Sequence, residues 1–414
     1  MRGMAESPVS LRELMTPEAV TDPYPLYARL HRHGDPVVTD ASGAHVVSGY
    51  AECHALLRDA RCGSDETRST MFEAMRSRGD LDDKDAALLA KAPFMLLDPP
   101  EHTRLRRLAH TCLIPAFDGL PERIARIVAE LLDTAAAQES LDVVGDYAFP
   151  LPVRIICELL ALPQADFPRL GRWSGALARN MDQAFNLDEE ARRDGREARG
   201  AILDYFHRLI PERRARPGDD VVSQLVALAD QGAADTDEVA AVCSLLLVAG
   251  HETTVNLIAN GVLALTSDPQ LRETVAAAPE AAKALVEEVL RFDPPLHFRT
   301  RVALADIEVA GHVVPRGATL VLLLAAANRD PRRFDEPDVF RLDRRANRHL
   351  GFGIGPHACL GAALARVEGE SALGAFARRV RNPQRPAGPL TYRPGLAMRG
   401  LAELPIHHGG ITAA

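Results

Sequence analysis

The sequence predicts a mainly helical fold with a small β portion (α+β), built as a single domain over residues 1–414. Three observations lead there. Most of the chain carries apolar residues at the i, i+3, i+4 spacing of amphipathic helices. Extended, β-rich pieces are few and short: HVVSG, DIEVAGHVVPRGATLVLL and TYRPGLAMRGLAELPI. No internal repeat or biased linker divides the chain, and PERRARPGDD (211–220) is only a polar loop.

Spacing and punctuation place helices over 24–33, 50–58, 101–113, 121–137, 151–161, 187–208, 220–230, 237–266, 269–277, 279–291 and 360–380. Pro269 and Pro279 suit first helical turns. The middle β-rich piece reads as a hairpin with strands on either side of Ala310-Gly311. The stretch 237–266 reads as one long helix of roughly 45 Å at 1.5 Å per residue. Its apolar residues lie on nearly every side, as in a helix crossing a protein's middle. Gly250, His251, Glu252, Thr253 and Thr254 interrupt it. Glycine costs about 1 kcal/mol inside a helix, and a buried carboxylate needs a partner. Taken alone, this is equally a threonine bonding its own i−4 carbonyl beside a glutamate that reaches the surface.

Composition excludes several function classes. Hydrophobic residues make up 47% and charged ones 25%, so a sizeable core is available. A net charge of −9 argues against nucleic-acid binding, which needs a basic face to neutralise phosphates. The longest nearly pure apolar runs, Val239 to Gly250 and Ala318 to Ala327, fall well short of the roughly 20 residues of a bilayer span. The start, MRGMAESPVSLREL, has charges and no apolar signal core. The expectation is a cytoplasmic protein with no membrane partner.

The six cysteines, Cys53, Cys62, Cys112, Cys157, Cys243 and Cys359, show no CxxC and no zinc-finger spacing. Cys157 and Cys243 lie in apolar helical contexts and read as core thiols. Cys359 differs, because it sits in GFGIGPHACLG among Gly351, Gly353, Gly355 and Gly361. A phosphate-binding GxGxxG would need glycine at 356 or 358, where Pro356 and Ala358 stand, and a preceding strand. A nucleophilic cysteine with His357 as base would be poorly paired two residues away. A metal thiolate suits better, because Leu360, Ala363, Leu364 and Val367 follow at helical spacing. Cys359 is then at a helix N-terminus, which favours a thiolate. One thiolate cannot make a four-cysteine cluster, but it suits the axial position of a heme.

FGIGPHACLG resembles the heme-binding loop of the cytochrome P450 family, F-G-x-G-x-x-x-C-x-G, and meets every fixed position: Phe352, Gly353, Gly355, Cys359 and Gly361. Three more motifs follow the family's order. EEVLR supplies the Glu-x-x-Arg pair Glu288 and Arg291, AGHETT (249–254) is similar to the central-helix motif, and DPPEHTRLRRL (98–108) resembles the helix that presents His and Arg to heme propionates.

The resemblance implies a P450-type helical domain, with 237–266 as its long central helix. The cofactor would be heme b (iron protoporphyrin IX), held through an axial thiolate on Cys359. It gives His102, Arg106, Arg301 and His357 to the propionates, with Arg299 as a competitor of Arg301. Glu252 and Thr253 would relay protons, with Ala249 and Gly250 leaving room for oxygen. Glu288 and Arg291 become a buried network with Arg344, or less readily Arg341, as third member.

The implied activity is a heme-thiolate monooxygenase that inserts one oxygen atom from O2 into a C–H or C=C bond of a small hydrophobic molecule. Its setting would be a tailoring step in bacterial secondary metabolism, since the composition is rich in alanine and arginine. Electrons would come from a separate ferredoxin and its reductase; Arg104, Arg107, Arg345 and Arg348 read equally as a basic dock for it or as a solvated arginine face. The alternatives are a peroxide-driven heme peroxygenase, which would not need Glu252 and Thr253, and a non-catalytic heme-binding sensor. Expected pocket walls are 64–95, 165–208, Leu296 to Phe298 and Ala397–Met398, with His297 and Arg299 open to a polar substrate group.

Overall fold

The computed structural model describes residues 9–78, 93–181, 189–395 and 397–413. Parts of the expected walls at 64–95 and 165–208, and the start of the expected helix 187–208, lie outside these residues. The longer helices are α1 (Tyr24–His33), α2 (Tyr50–Leu56), α3 (Thr70–Arg78), α4 (Glu101–Leu113), α5 (Leu120–Ala135), α6 (Pro150–Leu159) and α7 (Phe167–Met181). They continue with α8 (Glu189–Ala215), α9 (Val221–Asp230), α10 (Thr236–Ala249), α11 (Glu252–Ser267), α12 (Pro269–Ala277), α13 (Pro279–Phe292) and α14 (Ala362–Arg379). The helices that the spacing predicts are present, except that 237–266 divides in two and that α8 runs on through Pro211 to Ala215, into the segment expected as a polar loop. Pro269 and Pro279 stand in first turns, as expected. The spacing misses α3, which has no buried residue to mark a stripe, and α7, whose buried stripe runs Leu170, Ser174, Ala178. A serine in the middle of that stripe weakens its apolar period.

The expected central helix is in fact two, α10 and α11, separated at Gly250 and His251. The His251 ring explains the interruption. Its Nδ1 lies 2.9 Å from the Leu247 carbonyl, the oxygen that the His251 backbone amide would take in a continuous helix. A side chain entering the i→i−4 ladder breaks a helix in this way. A capping box of Asp235 and Glu238 starts α10. Thr236–Ser267 is long and apolar enough to cross a membrane by length and composition alone, but 78% of its most apolar window is buried within the protein.

The β portion is small. A five-stranded sheet has the order β1 (Val37–Thr39), β2 (His45–Val47), β8 (Thr319–Leu322), β5 (Arg299–Ala303), β3 (Cys62–Gly63). Only β2 and β8 pair in parallel. The predicted hairpin is β6 (Ile307–Val309) with β7 (His312–Val314), turning at Ala310 and Gly311, both at positive φ. A third sheet pairs β4 (Ser140–Asp142) with β9 (Pro405–His407). β5, with two arginines in RTRVA, is not among the β-rich pieces read from the sequence. Its period of two puts Arg299 and Arg301 on one face, toward a cavity. The main core runs through α4 to α14, and a smaller one lies under the large sheet.

Candidate active site

Residues 351–361 form a turn-rich loop ahead of α14. The Cys359 amide donates to the Phe352 carbonyl (2.9 Å), and the Gly353 amide to Leu350 (2.8 Å). Gly353 (φ 64°) and Gly355 (φ 81°) occupy the left-handed region. A Cβ at Gly351 would stand 2.7 Å from the Leu290 carbonyl oxygen, and one at Gly355 2.5 Å from that of Leu57. These two glycines therefore let the loop press on the protein's own backbone rather than on a ligand. Gly361 differs, since a Cβ there meets nothing within 4 Å and the residue borders the cavity.

A buried ion pair fixes the segment leading to the loop. Arg291 donates to Glu288 through Nη2 (2.7 Å) and Nε (2.8 Å), and both residues are fully buried. Arg291 also reaches the carbonyls of Asn328, Pro337 and Val339. The Glu288 carboxylate accepts from Arg344 Nε (3.0 Å) and Asn347 Nδ2 (3.2 Å). Arg344 is the side-chain third member. Arg341 gives only its backbone amide (2.9 Å) and turns its side chain to Glu336 and Asp343.

One cavity collects the remaining sequence-predicted residues. Ala249, Gly250, Thr253 and Thr254 line one side, and the loop with Cys359 lines another. The Cys359 thiol is exposed to this cavity. Burial away from bulk solvent pushes it above the usual thiol range, against the Gly361 amide and the cations of Arg106, Arg299 and Arg366. The helix N-terminus alone therefore does not make a thiolate here. A coordinated metal cation does so outright.

Beside the cysteine lie three arginines and two histidines. Arg106, Arg299, Arg301 and His357 line the cavity, and the His102 ring stacks on that of His357 with centroids 3.9 Å apart. Arg106 donates to the Ala358 carbonyl (2.6 Å) and Arg301 to that of Thr300 (2.7 Å). Among the described residues, none of the three arginines forms a salt bridge. Both His102 ring nitrogens are buried without a hydrogen-bond partner. Burial, followed by the repulsion of Arg299, lowers Arg301 to about 10. Burial and the surrounding cations lower His357 to about 3, so it is neutral at pH 7. Buried cations are rarely left unpaired. This donor set calls for an anionic ligand, and the residues present fit the propionates of a heme.

Across the cavity, Thr253 lies on the wall but Glu252 does not. The Glu252 carboxylate is held by Arg393 Nη1 (2.9 Å), with His251 Nε2 3.7 Å away. Because Leu247 offers only an acceptor, His251 Nδ1 carries the proton. Nε2 then accepts from the Ser174 hydroxyl of α7 (3.1 Å). Gly250 is shaped by packing, since a Cβ there would stand 2.7 Å from the Leu246 carbonyl and 3.0 Å from Ile156.

Sequence reasoning missed Glu368. It is fully buried and lines the cavity with Gly361, Leu364 and Ala365, a stripe at i, i+3, i+4, i+7 along α14. Burial pushes its carboxyl well above the usual range, only partly opposed by the Thr254 hydroxyl. Neither oxygen has a well-formed hydrogen bond. An acid on an otherwise apolar helix face, nine residues past the cysteine, was the available signal.

Other expectations change. His297 does not line the cavity; it meets Tyr27 Oη through Nδ1 (3.0 Å) and lies 3.7 Å from Asp293. Arg104 is not free for docking, since it is paired with Glu238 and donates to the Ala233 carbonyl (2.8 Å). Leu296, Phe94 and Met95 line the cavity as expected, whereas Phe298, Ala397 and Met398 do not. Cys157 and Cys243 are buried core thiols, as read from their contexts.

The geometry agrees with comparison to known proteins. The family model described as Cytochrome P450 matches residues 280–382. The vitamin D(3) 25-hydroxylase of Pseudonocardia autotrophica is 36% identical over 95% of this chain and 95% of its own. The polyketide biosynthesis cytochrome P450 PksS of Bacillus subtilis is 33% identical over 88% of each. Among solved structures, ligand-free CYP164A2 of Mycobacterium smegmatis superposes with a TM-score of 0.87 at 40% identity, covering 96% of this chain and 99% of that one. With a lone cysteine and an unpaired cation set facing one cavity, and relatives aligned over nearly its whole length, this chain belongs to the cytochrome P450 family of heme-thiolate monooxygenases.

Proposed function

We propose that the protein hydroxylates or epoxidises a small apolar metabolite in a tailoring step of bacterial secondary metabolism, in the cytoplasm, with electrons from a separate ferredoxin and reductase. The carrying observation is the set of three arginines beside Cys359 in one cavity, Arg301 among them buried and none with a salt bridge among the described residues. Cys359 would hold the heme iron through its sulfur, and His102, Arg106, Arg301 and His357 would hold the propionates, with Arg299 sharing the task. When bound, the heme activates dioxygen under the electron push of its thiolate.

The protein's own residues do the rest. Thr253 presents a hydroxyl at the cavity wall. Glu252 supplies protons from behind it, once it turns from Arg393. Glu368, whose carboxyl burial shifts toward the protonated form, is a second group able to give a proton. Leu245, Leu246, Leu296, Phe94 and Met95 give an apolar lining and exclude water. Apart from the propionate set and Glu368, no ionisable side chain among the described residues lines the pocket except Cys359, which supports an uncharged substrate. Arg107, Arg345 and Arg348 are exposed and would form the docking patch for an acidic partner.

The test is turnover of a metabolite panel with a surrogate ferredoxin and reductase, and separately with peroxide. Product with O2 and the redox proteins supports the reading. Product with peroxide alone makes the protein a peroxygenase, and binding without product under both conditions makes it a sensor.

A further inference from the structure

Two adjacent glutamates stand in EEVLR, and the Glu288 network leaves the first of them unused. Glu287 faces a different part of the protein. Its Oε1 accepts from Arg366 Nε (2.6 Å) on α14, and its Oε2 lies 3.1 Å from His349 Nε2. The His349 side chain is almost fully buried, and its Nδ1 accepts the Gly351 amide proton (3.0 Å). Because Gly351 N–H can only donate, the proton of the neutral His349 ring sits on Nε2 and points at Glu287. The Arg366 guanidinium lies over the Phe352 ring, 4.5 Å from its centroid. Phe352 in turn accepts the Cys359 amide. Burial raises the Glu287 carboxyl, but His349 and Arg366 outweigh this and hold it down at about 2. The carboxylate is therefore charged throughout the working range. It reaches the loop by two arms, one to the backbone at 351 and one to the ring at 352.

We propose that Glu287 is a positioning residue for Cys359, fixing the start of its loop through His349 and the Phe352 ring through Arg366, and balancing the Arg366 charge near the sulfur. The inference rests on Cys359 being the heme ligand. A network that only stabilised the fold would respond alike to loss of either charge. A network that also sets the electrostatics at the sulfur responds with opposite signs. Removing the carboxylate leaves net positive charge, which favours reduced heme, and removing the guanidinium does the reverse.

The experiment uses the heme-loaded protein in low-salt buffer, since the pair is partly exposed and salt screens it. Heme reduction potential is measured for the wild type, Glu287→Gln and Arg366→Gln. Amide hydrogen exchange at Gly351 is measured for the wild type and His349→Ala. The expected results are a higher potential in E287Q, a lower one in R366Q, and faster exchange at Gly351 in H349A, whose amide loses its acceptor. Potentials that stay put or move in the same direction, or unchanged exchange at Gly351, overturn the inference. If E287Q does not fold, R366Q and H349A still decide it. A wild type whose reduced carbon monoxide complex lacks the red-shifted band instead removes the Cys359 assignment. That result is distinct from a normal wild type with unresponsive variants.

Discussion

Arg393 holds Glu252: its guanidinium lies 2.9 Å from the carboxylate and keeps the acid off the cavity wall where Thr253 stands. The pair is largely buried, so it has opposite effects on stability and on catalysis. Arg393→Ala should cost about 1–3 kcal/mol of stability, by leaving a buried acceptor without its donor. Arg393→Lys should cost less. Glu252→Gln should slow proton-limited turnover by about 10²-fold while heme content stays normal. Urea unfolding and a solvent isotope effect on turnover check both arms.

Thr253→Ala removes the one hydroxyl of the acid–threonine pair that faces the cavity. Heme binding and the red-shifted carbon monoxide band should persist, while reducing equivalents go to hydrogen peroxide. Product formed per reductant consumed is the measurement, and unchanged coupling contradicts the relay role.

Cys359→Ser should keep the fold but lose the red-shifted absorption of the reduced carbon monoxide complex. Retention of that band would refute the ligand assignment.

Glu368 predicts a pH dependence whose sign follows from its raised carboxyl. The folded state holds this proton above the unfolded value of about 4.3, so unfolding releases it. The contribution is fully present below that pH and is lost as pH rises toward the folded value. Glu368→Gln keeps a neutral group of the same shape, so its stability should fall less than that of the wild type between pH 5 and pH 7.5. Parallel urea titrations of the two proteins at those pH values give the difference.

Arg291→Lys tests the ion pair that fixes the segment before the loop. Lysine cannot reproduce the bidentate fork on Glu288 or the contacts to three carbonyls. The variant should lose about 3–5 kcal/mol, the scale for breaking a fully buried pair. Heme incorporation on expression and thermal unfolding report it.

The chemistry was legible in the sequence wherever one residue type had to stand at a fixed spacing. Cys359 among glycines, Glu288 with Arg291, and His102 with Arg106 were all placed from the primary structure. The helices were legible because their apolar stripes are regular. α7 was not, because Ser174 interrupts its stripe to meet a histidine 77 residues away in sequence. The break at His251 was hidden for a similar reason: a side chain takes over a backbone bond, and no periodicity reports that. Glu252's partner Arg393 and Glu368's place on the cavity wall depend on packing between distant segments, which spacing along one helix does not carry. The neighbours that require glycine at 351 and 355 are the Leu290 and Leu57 carbonyls, and these too come from distant segments.

Glu287 and Glu288 show what this design demands of chain length. Successive residues on a helix point about 100° apart, so one turn of α13 addresses the segment before the loop with one carboxylate and the loop itself with the other. Inserting or deleting a single residue within α13 ahead of Glu287 would rotate both carboxylates off their partners together. Register along this helix is thus as strict a requirement as the cysteine itself, although neither glutamate touches the cavity.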